Sequence, residues 1–123
     1  RIEFTGWLSS SQIQNRIIKS SLGVFPSRIE SFGLSVIEAM AAGLPIITST
    51  SGAFPENIEE GVTGMLVPVN DAHALARAII SLLGDPKHAE SMAKSAKKRV
   101  QEKFNWDKAA NKIVDLYNLF PGT

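Results

Sequence analysis

The sequence contains no cysteine and only two histidines, and these shortages exclude several kinds of chemistry. Without cysteine there is no disulfide, no thiolate metal site and no cysteine nucleophile. His73 and His88 are too few to build a histidine metal centre. The lack of cysteine also suits a reducing compartment, and we expect the protein to be cytoplasmic.

The sequence also lacks a charge imbalance and a long hydrophobic run. Thirteen Lys and Arg residues against twelve Asp and Glu residues give a net charge of +1, so nucleic acid is not an expected partner. No apolar run approaches the length that crosses a bilayer, and no signal peptide is visible. The 123 residues are enough for one domain with one core.

Short β-rich runs alternate with helical patterns along the first half of the chain. We predict strands at about residues 2–5, 22–25, 45–48 and 65–67. Helices are predicted from about Ser9 to Ser20 and from Leu34 to Ala42, and a short helical turn is predicted from Pro55 to Glu60. This alternation predicts an α/β domain with a mostly parallel sheet and helices on both faces.

Three further helices are predicted at the carboxyl-terminal end, with Asp71, Asp85 and Asn105 as their N-caps. Each has an apolar stripe that we expect to face the core. The stripes are Leu75, Ile79, Leu82 and Leu83 in the first, Met92, Ala96, Val100 and Phe104 in the second, and Trp106, Ala110, Ile113, Leu116 and Tyr117 in the third. The basic run of Lys94, Lys97, Lys98 and Arg99 is interpreted as a solvated helix face, with contact to anionic lipid as an alternative.

The loop after Phe25 is the first candidate for a binding site, because ligands in parallel α/β sheets bind beyond the carboxyl ends of the strands. Here Gly33 stands where the chain enters a helix. The unpaired N–H groups and partial positive charge of a helix N-terminus favour an anion. We therefore expect a diphosphate at the amides near Phe32, Gly33 and Leu34.

Two carboxylates flank this candidate anion site. Glu38 lies about one helical turn beyond Leu34, roughly 6 Å along the axis, where it could accept hydrogen bonds from both hydroxyls of a ribose. Glu30 lies before the helix and could face a sugar attached beyond the diphosphate. Either glutamate alone is more often a solvated residue or one that favours the helix dipole, and it is their combination with the loop that indicates a site.

With seven residues between them, Glu30 and Glu38 resemble the paired-glutamate motif of the retaining GT-B glycosyltransferases, the group 1 family. Further segments follow in the order that this family has. They are FPSRIESFGLSVIEAMAAGLPIITS, GAFPENIEEGVTGMLVP, LLGDP and KFNW. The resemblance runs from Phe4 to about Tyr117, and Gly52-Ala53 stands where the family often has two glycines.

The resemblance implies a Rossmann-like domain, the truncated carboxy-terminal domain of a GT-B fold. Residues 1–123 would then be a single nucleotide-sugar-binding domain that lacks its first strand–helix unit and the amino-terminal acceptor domain. The implied activity is transfer of a sugar, with retention, from a nucleotide diphosphate sugar to a saccharide or lipid-linked acceptor, without a metal or other cofactor. Polysaccharide or lipopolysaccharide biosynthesis, with peripheral contact to the cytoplasmic membrane face, is the expected setting. We expect the chain alone to transfer no sugar.

The resemblance also assigns roles to individual residues. Glu38 would bind the ribose hydroxyls, and Glu30 would contact the donor sugar as the catalytic residue. The other substrate-binding residues would be Leu8 at the base and Ser31, Phe32, Gly33, Leu34 and Ser35 around the phosphates and the sugar. Trp106 and Tyr117 would anchor a last helix that crosses back toward the missing domain.

Two alternatives to sugar transfer remain open. One is a sugar-nucleotide epimerase of related GT-B architecture. The other is a non-catalytic module that binds a nucleotide or has a structural role. A dehydrogenase is disfavoured, because no G-x-G-x-x-G follows any of the predicted strands.

Overall fold

A computed structural model describes residues 1–119 of the chain, and in that range six helices surround three short strands. The elements in chain order are α1 (Ser10–Lys19), β1 (Gly23–Phe25), α2 (Leu34–Ala41), β2 (Ile46–Ser49), α3 (Phe54–Asn57), β3 (Met65–Val67), α4 (Ala72–Gly84), α5 (Pro86–Lys103) and α6 (Trp106–Leu119). Helices and strands alternate as far as α4, as the sequence predicts.

The three strands form one parallel sheet in the order β1-β2-β3. Val24 pairs with Ile47, and Thr48 pairs with Leu66, so β2 is the central strand. The parallel sheet predicted for these three segments is confirmed. Since parallel strands run in one direction, the loops that follow Phe25, Ser49 and Val67 all leave the same edge of the sheet.

Side chains of β2 bury themselves alternately on the two faces of the sheet. Ile46 packs in a cluster with α2 and α5, which contribute Val36, Ile37, Ala39, Met40, Ala96 and Val100. Ile47, on the opposite face, packs in a second cluster with Val67, Ala78, Leu82 and Met92. The prediction of helices on both faces is therefore confirmed, and a fully buried strand explains why β2 reads as a continuous β-rich run.

The strand predicted at residues 2–5 is wrong. Ile2 is 82% exposed and Phe4 is 95% exposed, and neither belongs to a strand. An alternating apolar–polar run forms a strand only where a sheet edge accepts its backbone hydrogen bonds and a core covers its apolar face. Within residues 1–119 this segment has neither, and Glu3 instead pairs with Arg16 of α1 at 2.9 Å.

The inward face predicted for the last helix is also wrong. Trp106 is 88% exposed, and Ala110, Ile113, Leu116 and Tyr117 are exposed as well. An apolar stripe predicts that a helix has a hydrophobic side, but it does not say that this domain covers it. Leu83 of α4 is likewise exposed, whereas its neighbour Leu82 is buried. No helix within residues 1–119 is both long and apolar enough to cross a membrane.

Local capping signals correctly predict where the helices begin. Asp71 accepts a hydrogen bond from the Ala74 N–H at 2.8 Å at the start of α4, and Asp85 accepts one from the His88 N–H at 3.0 Å at the start of α5. Asn105 accepts from the Asp107 N–H at 2.8 Å before α6. Each bond satisfies a backbone donor that the first turn of a helix leaves without a partner.

Candidate functional site

Helix α2 begins at Gly33, directly beyond the loop that follows β1. Gly33 has φ +83°, and its carbonyl accepts hydrogen bonds from Val36 and Ile37. The N–H groups of Leu34 and Ser35 have no partner within residues 1–119. Both side chains are exposed, so these two amides and the helix dipole make an accessible anion-binding position.

Glu30 folds back over the loop that precedes α2. Its Oε1 atom accepts hydrogen bonds from the Ser31 N–H at 3.0 Å and the Gly33 N–H at 3.1 Å. The Gly33 amide expected at a diphosphate is therefore already paired, and the amides of Leu34 and Ser35 are the ones left for an anion. The half-buried carboxylate of Glu30 is fixed beside the start of the helix by these two bonds.

Glu38 lies on the exposed side of α2, at the wall of a groove between α1 and α2. The groove has a volume of about 460 Å³, which is within the usual range for small-ligand sites. Its other lining residues are Ser10, Ile13, Gln14, Ile17, Ile18, Ala41 and Ala42. Leu8 is half-buried just before α1 and is not among the residues that line this groove.

The loop after β2 is packed directly against the backbone of Glu30. Gly52 has φ +52°, and a Cβ atom added there would lie 1.7 Å from the Glu30 carbonyl oxygen. The Ser49 hydroxyl donates to the Ser27 carbonyl at 2.6 Å. The loop after β1 therefore rests against the end of β2 and against the loop that follows it, and the close approach at residue 52 requires glycine beside Glu30.

Phe32 is held on two sides. Its ring packs edge-on against Phe104 at a centroid distance of 6.0 Å, and its carbonyl accepts a hydrogen bond from the Asn57 side-chain amide at 2.8 Å. Asn57 was not predicted from the sequence to contact this loop. The sequence shows only a polar residue in a short predicted helical turn, and this does not indicate what its side chain contacts.

The basic run of α5 is only partly a solvated face. Lys94 and Lys98 are exposed, as predicted, and each lies near a glutamate of its own helix. The prediction is wrong for Arg99, whose Nε atom donates to the Asn57 carbonyl at 2.8 Å. Lys103 donates to the Glu56 carbonyl at 2.8 Å, so two cations of α5 hold the carbonyl end of α3.

Comparison with known families shows to which family the chain belongs. The sequence model of the family described as glycosyl transferases group 1 matches residues 1–99. The chain belongs to this family. The matched range contains the three strands, α1 to α4 and both glutamates, and it ends within α5.

Two proteins are similar to this chain over nearly its whole length. A glycogen synthase of Mycobacterium tuberculosis is 34% identical over 114 residues, which are 93% of this chain and 28% of the relative. A sucrose-phosphate synthase structure from Thermosynechococcus elongatus has 38% identity and a TM-score of 0.87, over 98% of this chain and 30% of that one. The chain thus spans about a third or less of the length of these relatives.

A second solved structure shows the same fold with a ligand. The Anabaena protein HepE in complex with UDP and glucose has a TM-score of 0.87 at 24% identity, over 96% of this chain and 32% of that one. Together with the parallel sheet and its covering helices, these matches identify the fold as the Rossmann-like carboxy-terminal part of a GT-B glycosyltransferase.

The residues implied by the group 1 resemblance fall into one continuous region, with one exception. Ser31, Phe32, Gly33, Leu34 and Ser35 surround the start of α2, and Glu30 and Glu38 lie on either side of it. Leu8 lies in the segment before α1 and is not among the residues that line the groove beside Glu38. Within residues 1–119, no group of three or more His, Asp or Glu side chains could hold a metal ion.

Proposed function

We propose that this chain is the donor-binding part of a retaining glycosyltransferase that moves a sugar from a nucleotide diphosphate sugar to a saccharide or lipid-linked acceptor. The observation that carries the proposal is the start of α2, where two accessible, unpaired amides lie between two glutamates. Group 1 membership supports sugar transfer, and the HepE complex with UDP and glucose supports a nucleotide-linked donor.

The donor would lie along the start of α2. Its diphosphate would accept hydrogen bonds from the Leu34 and Ser35 amides, where the helix dipole favours negative charge. The nucleoside would extend into the groove between α1 and α2, with its ribose hydroxyls donating to Glu38. The sugar would then lie on the Glu30 side of the phosphates.

Charge stabilisation is the main contribution that these residues would make to transfer. When the bond from the sugar to the diphosphate breaks, negative charge grows on the phosphate and positive charge grows on the sugar. Fixed amides beside the phosphate and a fixed carboxylate beside the sugar would stabilise these two charges without having to reorganise. The acceptor hydroxyl would attack from the face that the diphosphate leaves, which retains configuration without an enzyme nucleophile.

Replacement of Glu38 and replacement of Glu30 should have different kinetic effects in the full-length enzyme. Ribose hydroxyls do not change during the reaction, so Glu38→Gln should mainly raise KM for the donor. Glu30 would face charge that exists only in the transition state, so Glu30→Gln should lower kcat roughly 10- to 100-fold with little change in nucleotide affinity. Glutamine keeps an oxygen that can accept from the Ser31 and Gly33 amides, so the loop should stay in place.

Steady-state kinetics of both variants, together with the anomeric configuration of the product, test this assignment. An unchanged kcat for Glu30→Gln would show that its carboxylate does not stabilise the transition state. A product of inverted configuration would overturn retention. Interconversion of the donor sugar without transfer would identify the epimerase instead, and donor binding without any reaction would identify a non-catalytic module.

A further inference from the structure

Asn57, at the end of the short helix α3, makes a hydrogen bond to the loop that carries the candidate site. The residue is only 4% exposed, and its side-chain Nδ2 atom donates to the Phe32 carbonyl at 2.8 Å. The N–H of the next residue, Gly33, donates to Glu30 at 3.1 Å. Both ends of the Phe32–Gly33 peptide group are therefore tied to fixed partners, one on α3 and one within the loop.

This peptide group determines where the unpaired amides of α2 point. It immediately precedes Leu34 and Ser35, and Gly33 adopts a left-handed conformation that turns the chain into the helix. Rotation of the peptide about its flanking bonds would change the entry angle and move the Leu34 amide first. A hydrogen bond to the Phe32 carbonyl opposes that rotation.

Asn57 is itself held in place by α5. The Arg99 Nε atom donates to the Asn57 carbonyl at 2.8 Å, and a second guanidinium nitrogen donates to the Glu56 carbonyl at 3.2 Å. Arg99 also approaches the Glu59 carboxylate at 3.8 Å. A contiguous set of hydrogen bonds thus runs from α5 through the end of α3 to the loop before α2.

We propose that Asn57 is a positioning residue for the nucleotide diphosphate, acting through the orientation of the Phe32–Gly33 peptide. The inference rests on the proposed function, because it assigns Asn57 to the same diphosphate position at Leu34 and Ser35. Asn57 does not touch the ligand. Its contribution is to keep the two amides preorganised, so that binding does not have to order them.

The test compares Asn57→Leu with Thr63→Val. Both residues are buried and polar, at 4% and 3% exposure, and both lie in the segment from α3 to β3. Thr63 bonds only to the backbone of Glu59, away from α2, so its replacement removes a buried hydrogen bond without touching the site loop. Each variant chain is titrated with UDP, GDP and ADP by calorimetry, well below its melting temperature. Amide resonances of Gly33, Leu34 and Ser35 are recorded in the free proteins.

Asn57→Leu should weaken nucleotide diphosphate binding by about tenfold and shift the Gly33, Leu34 and Ser35 resonances. Thr63→Val should change neither, although both variants lose stability. If Asn57→Leu binds as tightly as the unchanged chain, or if Thr63→Val weakens binding equally, Asn57 has only a structural role. If the unchanged chain binds none of the three nucleotides, it is the proposed function that fails. Should Asn57→Leu not fold, Asn57→Ala removes the donor without adding charge or bulk, and the same outcomes apply.

Discussion

Gly52 and Gly43 both have a backbone conformation that favours glycine, but only Gly52 also lacks room for a side chain. Both have positive φ, at +52° and +80°. A Cβ atom at Gly43 would meet nothing within 4 Å, whereas one at Gly52 would lie 1.7 Å from the Glu30 carbonyl oxygen. Glycine at 43 is therefore a conformational requirement at the end of α2, and glycine at 52 is also a requirement of the loop that holds Glu30.

Alanine at these two positions should have different consequences. Gly43→Ala should lower the free energy of unfolding by about 1–2 kcal/mol, which is the cost of a left-handed residue with a side chain. Gly52→Ala adds a clash that displaces Glu30, so the loss should reach about 2–5 kcal/mol and donor affinity should fall as well. Urea unfolding of the two variants measures the loss of stability, and nucleotide titration measures the loss of affinity. Equal losses of unfolding free energy in the two variants would mean that the loop around Glu30 shifts to accommodate the added methyl group.

Helix α5 contributes to the site from outside it, because its cations hold the carbonyl end of α3. Arg99 and Lys103 satisfy carbonyls at Glu56 and Asn57 that the short helix leaves without partners. Lys98, one residue before Arg99, is exposed and only approaches Glu102 of its own helix at 3.9 Å. The positive charge of Arg99 therefore stabilises a neighbouring element, whereas that of Lys98 does not.

Replacement of these two neighbours by glutamine should show that difference. Arg99→Gln should lower the free energy of unfolding by about 1–2 kcal/mol, because the part-buried Asn57 carbonyl loses its charged donor. Lys98→Gln should change it by less than about 0.5 kcal/mol, as is usual for an exposed pair within one helix. Chemical denaturation of both variants under the same salt conditions measures these values. A loss for Lys98→Gln as large as that for Arg99→Gln would contradict the capping role.

Elements with a local sequence signal were predicted well, and those that depend on distant partners were not. The caps at Asp71 and Asp85 and the buried run of β2 are local, and they agree with the structure. Burial of residues 2–5 and of the apolar face of α6 would need another element to pack against them. No local sequence pattern predicts whether such an element is present. The bond from Asn57 to Phe32 joins residues 25 positions apart in the chain, so periodicity and capping rules carry no information about it.

Across the whole molecule, the candidate site depends on one sheet edge that brings two loops and one helix start together. The parallel order β1-β2-β3 places the loops after Phe25 and Ser49 side by side, and the second loop supports the first through Gly52. The paired glutamates predicted where a candidate site would lie, because their spacing fits one helix start. The supporting contacts became visible only with the fold.

The affinity of the chain for nucleotide diphosphates, measured by calorimetry, tests the central claim most directly. UDP, GDP and ADP are compared in the unchanged chain, in Glu38→Gln and in Glu90→Gln. Glu90 is an exposed helical glutamate outside the site, and the hydrogen bond and charge of Lys94 hold the pKa of its carboxyl below the usual value. It is therefore ionised at neutral pH, and its replacement removes the same charge from the chain.

We predict that at least one of these nucleotides binds and that Glu38→Gln weakens its binding by about 1.5–3 kcal/mol, or roughly 10- to 150-fold. Glu90→Gln should leave the affinity within about twofold of that of the unchanged chain. Binding of none of the three nucleotides by the unchanged chain, or equal affinities for Glu38→Gln and Glu90→Gln, would contradict a nucleotide site at the start of α2.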